Sequence, residues 1–308
     1  MRMTVLASGS KGNSTVIASS TTRILVDAGL SCRELMKRMK TAGQDPATLD
    51  AILITHEHQD HVQGLAVTAR RLGIPVYLTE PTHRAWVRWL TPRKRITYAE
   101  WLEQRRAQAK AVAMEPDREE KEAAEEALTE PEGAPERDPA WIPAVAYFHS
   151  GNGFRIGDIA ITPFTIPHDA IDPVGFVFEA EGVRVGMATD LGYLPSNLNM
   201  HLRGCDILML ESNHDLDMLR DGPYPWAVKQ RVMSRVGHLS NDAAAEYLAR
   251  NYDGHATFVV LAHLSESNNL PELARMAAET ALRDRISLLA NKVMLAEQNS
   301  PMDTLVLE

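Results

Sequence analysis

The segment 51–65, which reads AILITHEHQDHVQGL, constrains the fold of this chain more than any other. Its first five residues form a largely apolar run that predicts a buried β-strand ending at Thr55. Polar side chains of the kind that bind metals then follow within six residues: His56, His58, Asp60 and His61. The next apolar residues are spaced three or four apart, as on one face of a helix: Val62, Leu65, Ala66, Ala69 and Leu72. Gly73 is placed to end this helix, so the segment predicts a strand, a polar turn and a helix.

The polar turn has the composition and spacing of a metal site. Residues two apart in an extended backbone point to the same side, so His56 and His58 can bind one ion together. Asp60 and His61 lie beyond the bend and can aim at a second point close by. Imidazole nitrogen and carboxylate oxygen suit Zn²⁺ or Mn²⁺. A surface loop that is polar by chance is the alternative to a metal site here.

Further candidate ligands occur singly, each after an apolar run. His168 follows in TIPHDA, Asp190 in GMATD and His263 in VVLAHLS. Loops at the ends of buried strands converge on one rim of a sheet, which would bring these three side chains to the 56–61 cluster. The Asp190 carboxylate could bridge two ions there. For each residue taken alone, a hydrogen-bonded structural role is the alternative.

Strands and helices are predicted through most of the remaining chain. Apolar runs separated by turn residues predict strands on both sides of the 51–65 segment. A helix is predicted from Ser240 or Asn241 as its N-terminal cap, and another begins with Pro271 in its first turn. The pattern indicates a layered α/β arrangement in which helices cover two sheets.

An acidic stretch interrupts this pattern. Residues 115–138 contain eleven acidic and three basic residues, a net charge of −8, so the rest of the chain carries only −1 of the formal −9. The overall acidity is therefore no argument against an anionic substrate. The stretch has almost no large apolar residues, which predicts an exposed insertion, part helical and part flexible, at about 93–140. The remainder of residues 1–308 is expected to form a single domain.

The chain resembles the metallo-β-lactamase-fold superfamily at the ligand candidates named above and at Asp27 in ILVDAGL. A finer resemblance, to the YycJ (WalJ)-type exonucleases, is carried by the segments 6–15, 211–242 and 261–269 together with the 51–65 segment. It implies a four-layer αββα sandwich with two divalent ions on its rim, either Zn²⁺ or Mn²⁺, with Fe²⁺ as an alternative. The implied ligands of one ion are His56, His58 and His168. Those of the other are Asp60, His61 and His263, with Asp190 bridging both and Asp27 orienting ligands from outside.

The same resemblance implies a phosphodiesterase, specifically a 5′-to-3′ exonuclease with DNA as its partner. Two divalent ions can bind a hydroxide nucleophile between them and neutralise a phosphate oxygen, and Asp60 is assigned a catalytic role beside its role as ligand. By resemblance to tRNase Z, His238 in GHLSN is expected to lie beside the scissile phosphate as the general acid. The helix that starts just after it favours an anion at this point. A simple capping turn is the alternative.

The glycine-containing loop SGSKGNS at 8–14 is a candidate for contacts with substrate phosphate. Its backbone N–H groups could line a phosphate path, although a plain hairpin connection would have the same sequence. The residues assigned to such contacts are Ser8, Gly9, Ser10, Gly12 and Asn13. His214 follows a predicted strand near the same rim and is grouped with them.

Two other functions stay open at this point. One is a small-molecule hydrolase of thioesters, lactones or cyclic phosphates, since one fold serves many reactions. The other is a metal-bound interaction protein without catalysis. The two cysteines, Cys32 and Cys205, form no CxxC pattern, which indicates a reducing, cytoplasmic setting. No apolar run approaches the roughly 18 residues of a membrane span, so no membrane partner is expected.

Overall fold

The computed structural model describes residues 1–91, 102, 138–283 and 291–307. Two compact units are present, Met1–Trp86 with Ile142–Glu308, and Val87–Trp141. In the second unit the N–H of Thr91 donates to the carbonyl of Val87 at 2.9 Å, ending a helical turn. Nearly all of the predicted acidic insertion lies outside the described residues, so its character stays a prediction.

The first sheet of the larger unit has seven strands in the order β14-β1-β2-β3-β4-β5-β6. Its strands are β1 (Arg2–Ala7), β2 (Ser14–Ala18), β3 (Arg23–Val26), β4 (Ala51–Leu53), β5 (Val76–Leu78), β6 (Val145–Tyr147) and β14 (Leu305–Val306). Pairing is antiparallel from β14 to β3 and parallel from β3 to β6. The strand predicted before the histidine cluster is β4, and its carboxyl end carries that cluster to the edge of the sheet.

The second sheet also has seven strands, in the order β13-β12-β11-β10-β9-β8-β7. Its strands are β7 (Phe154–Ile156), β8 (Ile159–Thr165), β9 (Val174–Ala180), β10 (Val183–Ala188), β11 (Ile207–Glu211), β12 (Phe258–Ala262) and β13 (Lys292–Leu295). Pairing is antiparallel from β7 to β10 and parallel from β10 to β13. The parallel strands β10, β11 and β12 therefore end at one edge.

Helices follow or precede most of the parallel strands. They are α1 (Cys32–Thr41), α2 (Gln59–Val62), α3 (Leu65–Leu72), α4 (Glu80–Leu90), α5 (Leu198–Leu202), α6 (Leu216–Asp221), α7 (Trp226–Val232), α8 (Asn241–Arg250) and α9 (Pro271–Arg283). Within the part of the chain that the structure describes, none of these helices is long and apolar enough to cross a membrane.

Strand β11 shows how the layers are built. Ile207 and Met209 lie in a core cluster that contains side chains from both sheets. Leu208 and Leu210 face the other way, into a cluster with residues of α5, α8 and α9. Because side chains alternate between the two faces of a strand, a strand buried on both faces must be apolar throughout. Helices α1 and α3 bury apolar faces of their own beside the first sheet. The αββα sandwich is confirmed.

The helix predicted after the histidine cluster is two helices. Gly64 interrupts it between α2 and α3, and its N–H donates to the carbonyl of Ala28 at 2.8 Å instead of continuing a helical ladder. A Cβ atom at Gly64 would lie 2.0 Å from the carbonyl oxygen of Leu30, so this close backbone approach requires glycine. The prediction for α8 is confirmed, since the Ser240 hydroxyl accepts a hydrogen bond from Ala243 N–H at 3.1 Å.

Candidate metal centre

Three residues with left-handed backbone conformation stand at strand ends around the rim. The φ angles are 61° at Asp27, 60° at Asp190 and 57° at His263. Positive φ is uncommon for residues other than glycine, although Asp and His tolerate it better than most. His263 directly follows β12 and Asp27 directly follows β3. Strained backbone of this kind concentrates at functional sites, where it aims a side chain that an extended strand would point elsewhere.

One cluster of ligand atoms consists of three histidines. Nδ1 of His58 lies 3.1 Å from Nε2 of His56 and 3.2 Å from Nε2 of His168. The ligand atoms of all three lie within 4.8 Å of one another. Burial, and then the neighbouring His61, lower the pKa of His56 well below its usual range, so its imidazole is neutral. Neutral imidazole is the form that binds a metal ion.

A second cluster combines two carboxylates with two histidines: Asp60, His61, Asp190 and His263. Nε2 of His61 lies 3.5 Å from an oxygen of Asp60 and 3.5 Å from Oδ2 of Asp190. Nε2 of His263 lies 3.6 Å from Asp60. Burial opposes protonation of His61, but the carboxylates of Asp190 and Asp27 outweigh it and raise the pKa of His61 well above its usual range. The site thus concentrates negative charge that favours a cation.

Unpaired buried atoms test whether a divalent ion fits this second cluster. Oδ2 of Asp190 and Nε2 of His263 are buried and have no hydrogen-bond partner among the described residues. Buried polar atoms in native proteins are almost always paired, so each such exception needs an explanation. An oxygen and a nitrogen that converge without a partner match the donor preferences of Zn²⁺ and Mn²⁺. The second cluster therefore fits a divalent metal ion.

Asp27 supports the ligands from behind. Its Oδ2 lies 2.8 Å from Nδ1 of His61, and it accepts hydrogen bonds from the N–H and hydroxyl of Thr55, each at 2.9 Å. The Thr55 hydroxyl also lies 3.0 Å from Nδ1 of His56. A carboxylate that accepts the Nδ1 proton leaves the opposite ring nitrogen of His61 available for a metal. This is the orienting position expected for Asp27.

Glu211 contacts two of the candidate site residues, and the sequence analysis did not single it out. Its Oε1 lies 2.7 Å from Nδ1 of His238 and 2.9 Å from Nδ1 of His263. Its Oε2 accepts the N–H of Leu191 at 2.8 Å and of Leu239 at 3.3 Å. The side chain is fully buried, which by itself would raise the pKa, but His238 and His263 outweigh burial and hold the pKa of Glu211 at about 2. An acid that ends the apolar strand β11 was the available signal.

His238 stands at the mouth of the site. Its ring centre lies 5.0 Å from that of His263 and 5.3 Å from that of His168. Since Nδ1 is engaged with Glu211, Nε2 is the ring atom left to contact a ligand. A cavity of about 290 Å³ opens over both clusters, and six of the residues that line it are His58, Asp60, His168, Asp190, His238 and His263. A site of this size and depth can admit a phosphate group.

Comparison with known proteins places this geometry in a family. Residues 7–226 match the metallo-beta-lactamase superfamily. The chain belongs to this superfamily. Exodeoxyribonuclease YycJ of Bacillus anthracis is 32% identical over 285 residues, which cover 92% of this chain and 90% of that protein. Exodeoxyribonuclease WalJ of Streptococcus pneumoniae is 33% identical over 275 residues, 89% of this chain and 86% of the relative. The chain is therefore also a member of the family of these two proteins.

The crystal structure of the metallo-beta-lactamase fold protein YhfI from Bacillus subtilis superimposes with a TM-score of 0.63. The match covers 98% of this chain and 99% of YhfI at 15% sequence identity. At that identity the similarity concerns the fold alone. The superfamily fold therefore extends over the described residues on both sides of the 87–141 unit.

The loop at 8–14 contacts candidate metal-binding residues, and one of its residues lines the cavity. Ser8 is fully buried, and its hydroxyl accepts the N–H of His263 at 2.8 Å. Nδ2 of Asn13 lies 3.1 Å from Oδ2 of Asp60 and 3.0 Å from Nε2 of His61. Gly9 and Gly12 are buried, whereas Ser10 is exposed and lines the cavity. Of the five loop residues assigned to phosphate, Ser10 alone is among the residues that line the cavity in the described chain.

His214 lies just after the end of β11, as expected, and is buried. Only 1% of its surface is exposed, its Nδ1 lies 3.3 Å from Oδ1 of Asn213, and it forms an isolated bridge with Ser240. Burial is the main cause that lowers its pKa to about 4. It is not among the described residues that line the cavity. Its grouping with the phosphate contacts stays a prediction, and its burial gives that prediction no support.

Proposed function

We propose that this protein is a divalent-metal-dependent phosphodiesterase that degrades DNA as an exonuclease. The observation that carries the proposal is that residues of both candidate metal clusters line one cavity together with His238, whose ring is held from behind by the buried Glu211. The relatives YycJ and WalJ, both described as exodeoxyribonucleases, support the choice of DNA. The 5′-to-3′ direction follows from the resemblance to that family and is part of the proposal.

The seven ligand candidates divide into two sets in the proposed enzyme. His56, His58 and His168 would hold one ion, and Asp60, His61 and His263 the other. Asp190 groups with the second set and lines the cavity beside His58 and His168 of the first, and we propose that it would bridge the two ions, as the family resemblance implies. When bound, two divalent ions supply Lewis acidity that lowers the pKa of water and neutralises charge on a phosphate. Zn²⁺ and Mn²⁺ both suit this donor set.

His238 is the proposed general acid. Its Nδ1–H donates to Oε1 of Glu211, which fixes the orientation of the ring. Nε2–H is then directed to the cavity and can protonate the alkoxide that leaves the phosphate. A positioned general acid of this kind contributes about 10²- to 10⁴-fold to rate. His238 also lies just before the start of α8, where backbone N–H groups and the helix dipole favour a bound phosphate.

Asp60 lines the same cavity from the opposite cluster. Its pKa is lowered, since His61 and His263 outweigh the effect of burial, and so the carboxylate is ionised. Asn13 donates to Oδ2 of Asp60 at 3.1 Å and limits its rotation. We propose that Asp60 accepts a hydrogen bond from the attacking water and orients it towards the phosphorus atom.

A degradation assay with single- and double-stranded DNA, labelled at the 5′ or the 3′ end, tests the function. The expected result is metal-dependent release of nucleotides from the 5′ end. Parallel assays with bis(p-nitrophenyl) phosphate and with a thioester separate this function from a small-molecule hydrolase. Hydrolysis of the thioester with intact DNA would contradict the proposal, and an absence of any metal-dependent activity would favour a metal-bound interaction protein.

A further inference from the structure

Helix α7 forms one wall of the cavity above the metal-binding clusters. Val228, Arg231 and Val232 of this helix all line the cavity, as expected for residues spaced by three and four along a helix. The side chain of Arg231 is 66% exposed. Its Nε–H donates to Oδ2 of Asp169 at 2.5 Å. Within the described chain its two terminal amino groups make no other hydrogen bond, so they are available to a ligand.

Asp169 separates this guanidinium from the histidine cluster. Its Oδ1 lies 3.5 Å from Nε2 of His168, is buried, and has no hydrogen-bond partner among the described residues. Its backbone N–H donates to the carbonyl of Val236 at 3.0 Å, which ties it to the segment after α7. The Asp169 carboxylate therefore lies between the Arg231 guanidinium and His168. A phosphate bound to Arg231 would be distinct from a phosphate bound at the clusters.

Arg231 brings a positive charge to a cavity wall, where it would attract the phosphates of an anionic polymer. Three carboxylates line the cavity, those of Asp60, Asp169 and Asp190. Among the described lining residues Arg231 is the sole lysine or arginine. Guanidinium groups bind phosphate through paired parallel hydrogen bonds, which no other side chain of this wall can supply.

We propose that Arg231 forms a subsite for a phosphate of the nucleic-acid strand next to the scissile one, and that Asp169 positions it. The inference rests on the proposed phosphodiesterase function. It explains how the cavity could hold a nucleic-acid strand at two phosphates instead of one. Arg231 would contact the polymer backbone, and so it would act on any base sequence. Asp169 holds the guanidinium against the cavity wall, with its terminal amino groups open to the strand.

Binding to metal-free protein tests the subsite without any cleavage. The full chain, stripped with EDTA, is titrated into a labelled single-stranded DNA oligonucleotide at several salt concentrations, and anisotropy is read. Arg231→Gln is expected to weaken binding about tenfold and to reduce the slope of log K against log salt by about 0.7. Arg231→Lys keeps the charge without the fork and should lose less.

Arg250→Gln is the matched control, because Arg250 is an exposed arginine of α8, ion-paired with Glu246 at 2.8 Å. It removes the same charge away from the cavity and should leave binding unchanged. Equal affinity of the Arg231→Gln and Arg250→Gln proteins would overturn the subsite. Asp169→Ala should weaken binding in the parent and have no effect in Arg231→Gln, and additive losses would overturn the positioning role.

Kinetics with metal added locate the subsite. Arg231→Gln should raise KM for an oligonucleotide about tenfold with little change in kcat, because binding to a remote phosphate is lost. Its kcat/KM for bis(p-nitrophenyl) phosphate, which has one phosphate, should fall far less than that for the oligonucleotide. An equal loss with both substrates would overturn the neighbouring position. Strand binding through Arg231 by a parent enzyme that leaves DNA intact would instead refute the proposed exonuclease function alone.

Discussion

Oε1 of Glu211 lies 2.7 Å from Nδ1 of His238, and the same oxygen lies 2.9 Å from Nδ1 of His263. One carboxylate oxygen thus orients both the proposed general acid and a proposed metal ligand. With its Nδ1 proton donated to Glu211, His263 presents the lone pair of Nε2 to the second cluster. The leaving-group side and the metal side of the site are coupled through this buried side chain.

Glu211→Gln should therefore impair both functions at once. The Oε2 side accepts two backbone N–H groups and the Oε1 side accepts two imidazole N–H groups, so an amide NH₂ placed on either side faces donors. We expect kcat to fall about 100-fold and metal affinity at the second cluster to fall about 10- to 100-fold. Metal content by mass spectrometry and kcat on DNA measure the two effects. Unchanged metal affinity would contradict the coupling.

The 56–61 cluster could be predicted because its geometry is local. A strand that ends in HxHxDH fixes which side chains point together, and β4 supplies that strand. The convergence of His168, Asp190 and His263 was also predictable, since strand ends share an edge. Sequence does not say which way a residue beyond a strand end will turn, which depends on φ angles such as the 57° of His263.

Two side chains at the end of β11, Glu211 and His214, show which features the sequence could not indicate. An acid at the end of an apolar strand commonly points to solvent, and only the fold shows that Glu211 turns inward to meet two histidines. His214 lies three residues after the end of the same strand, is 1% exposed and forms an isolated bridge with Ser240. Side-chain direction changes with each residue in extended backbone, so proximity to a rim does not establish access to the cavity.

Two histidine variants should separate catalysis from metal binding. His238→Ala removes the proposed proton donor and should lower kcat about 10²- to 10⁴-fold while both clusters keep their metal. His263→Ala should instead weaken metal binding, because it removes a ring nitrogen of the second cluster. Titration with Mn²⁺ followed by calorimetry measures binding directly. Loss of metal from the His238→Ala protein would overturn its assignment as general acid.

Deletion of residues 115–138 should leave the larger unit folded. The stretch carries eleven acidic residues and almost no large apolar ones, so its removal deletes little buried surface. The expected melting temperature, followed by circular dichroism, stays close to that of the full chain. A deletion of equal length through α9, which buries Ala274, Ala278 and Leu282, should abolish folding and serves as the comparison. A large fall in the melting temperature of the 115–138 deletion variant would contradict the prediction that this stretch is an exposed insertion.

Gly29→Ala tests whether the backbone at Gly29 must pack closely against the backbone at Asp60 and Asn13. A Cβ atom at Gly29 would lie 1.6 Å from the carbonyl oxygen of Asp60 and 2.6 Å from the backbone nitrogen of Asn13. Neither is the end of a flexible side chain, so the backbone carrying Asp60 must move. We expect destabilisation of about 1–3 kcal/mol together with weaker metal binding.

Gly153→Ala is the control for this change. The nearest atom to its added Cβ would be the carbonyl oxygen of Ile161 at 3.6 Å, an ordinary contact. Urea unfolding curves and Mn²⁺ titrations of both variants decide the outcome. Asn13 N–H donates to the carbonyl of Asp60 at 2.7 Å, so a shift of the backbone at Asn13 should also displace Asp60, a proposed metal ligand. Normal metal affinity in a destabilised Gly29→Ala protein would show that Asp60 does not depend on this packing.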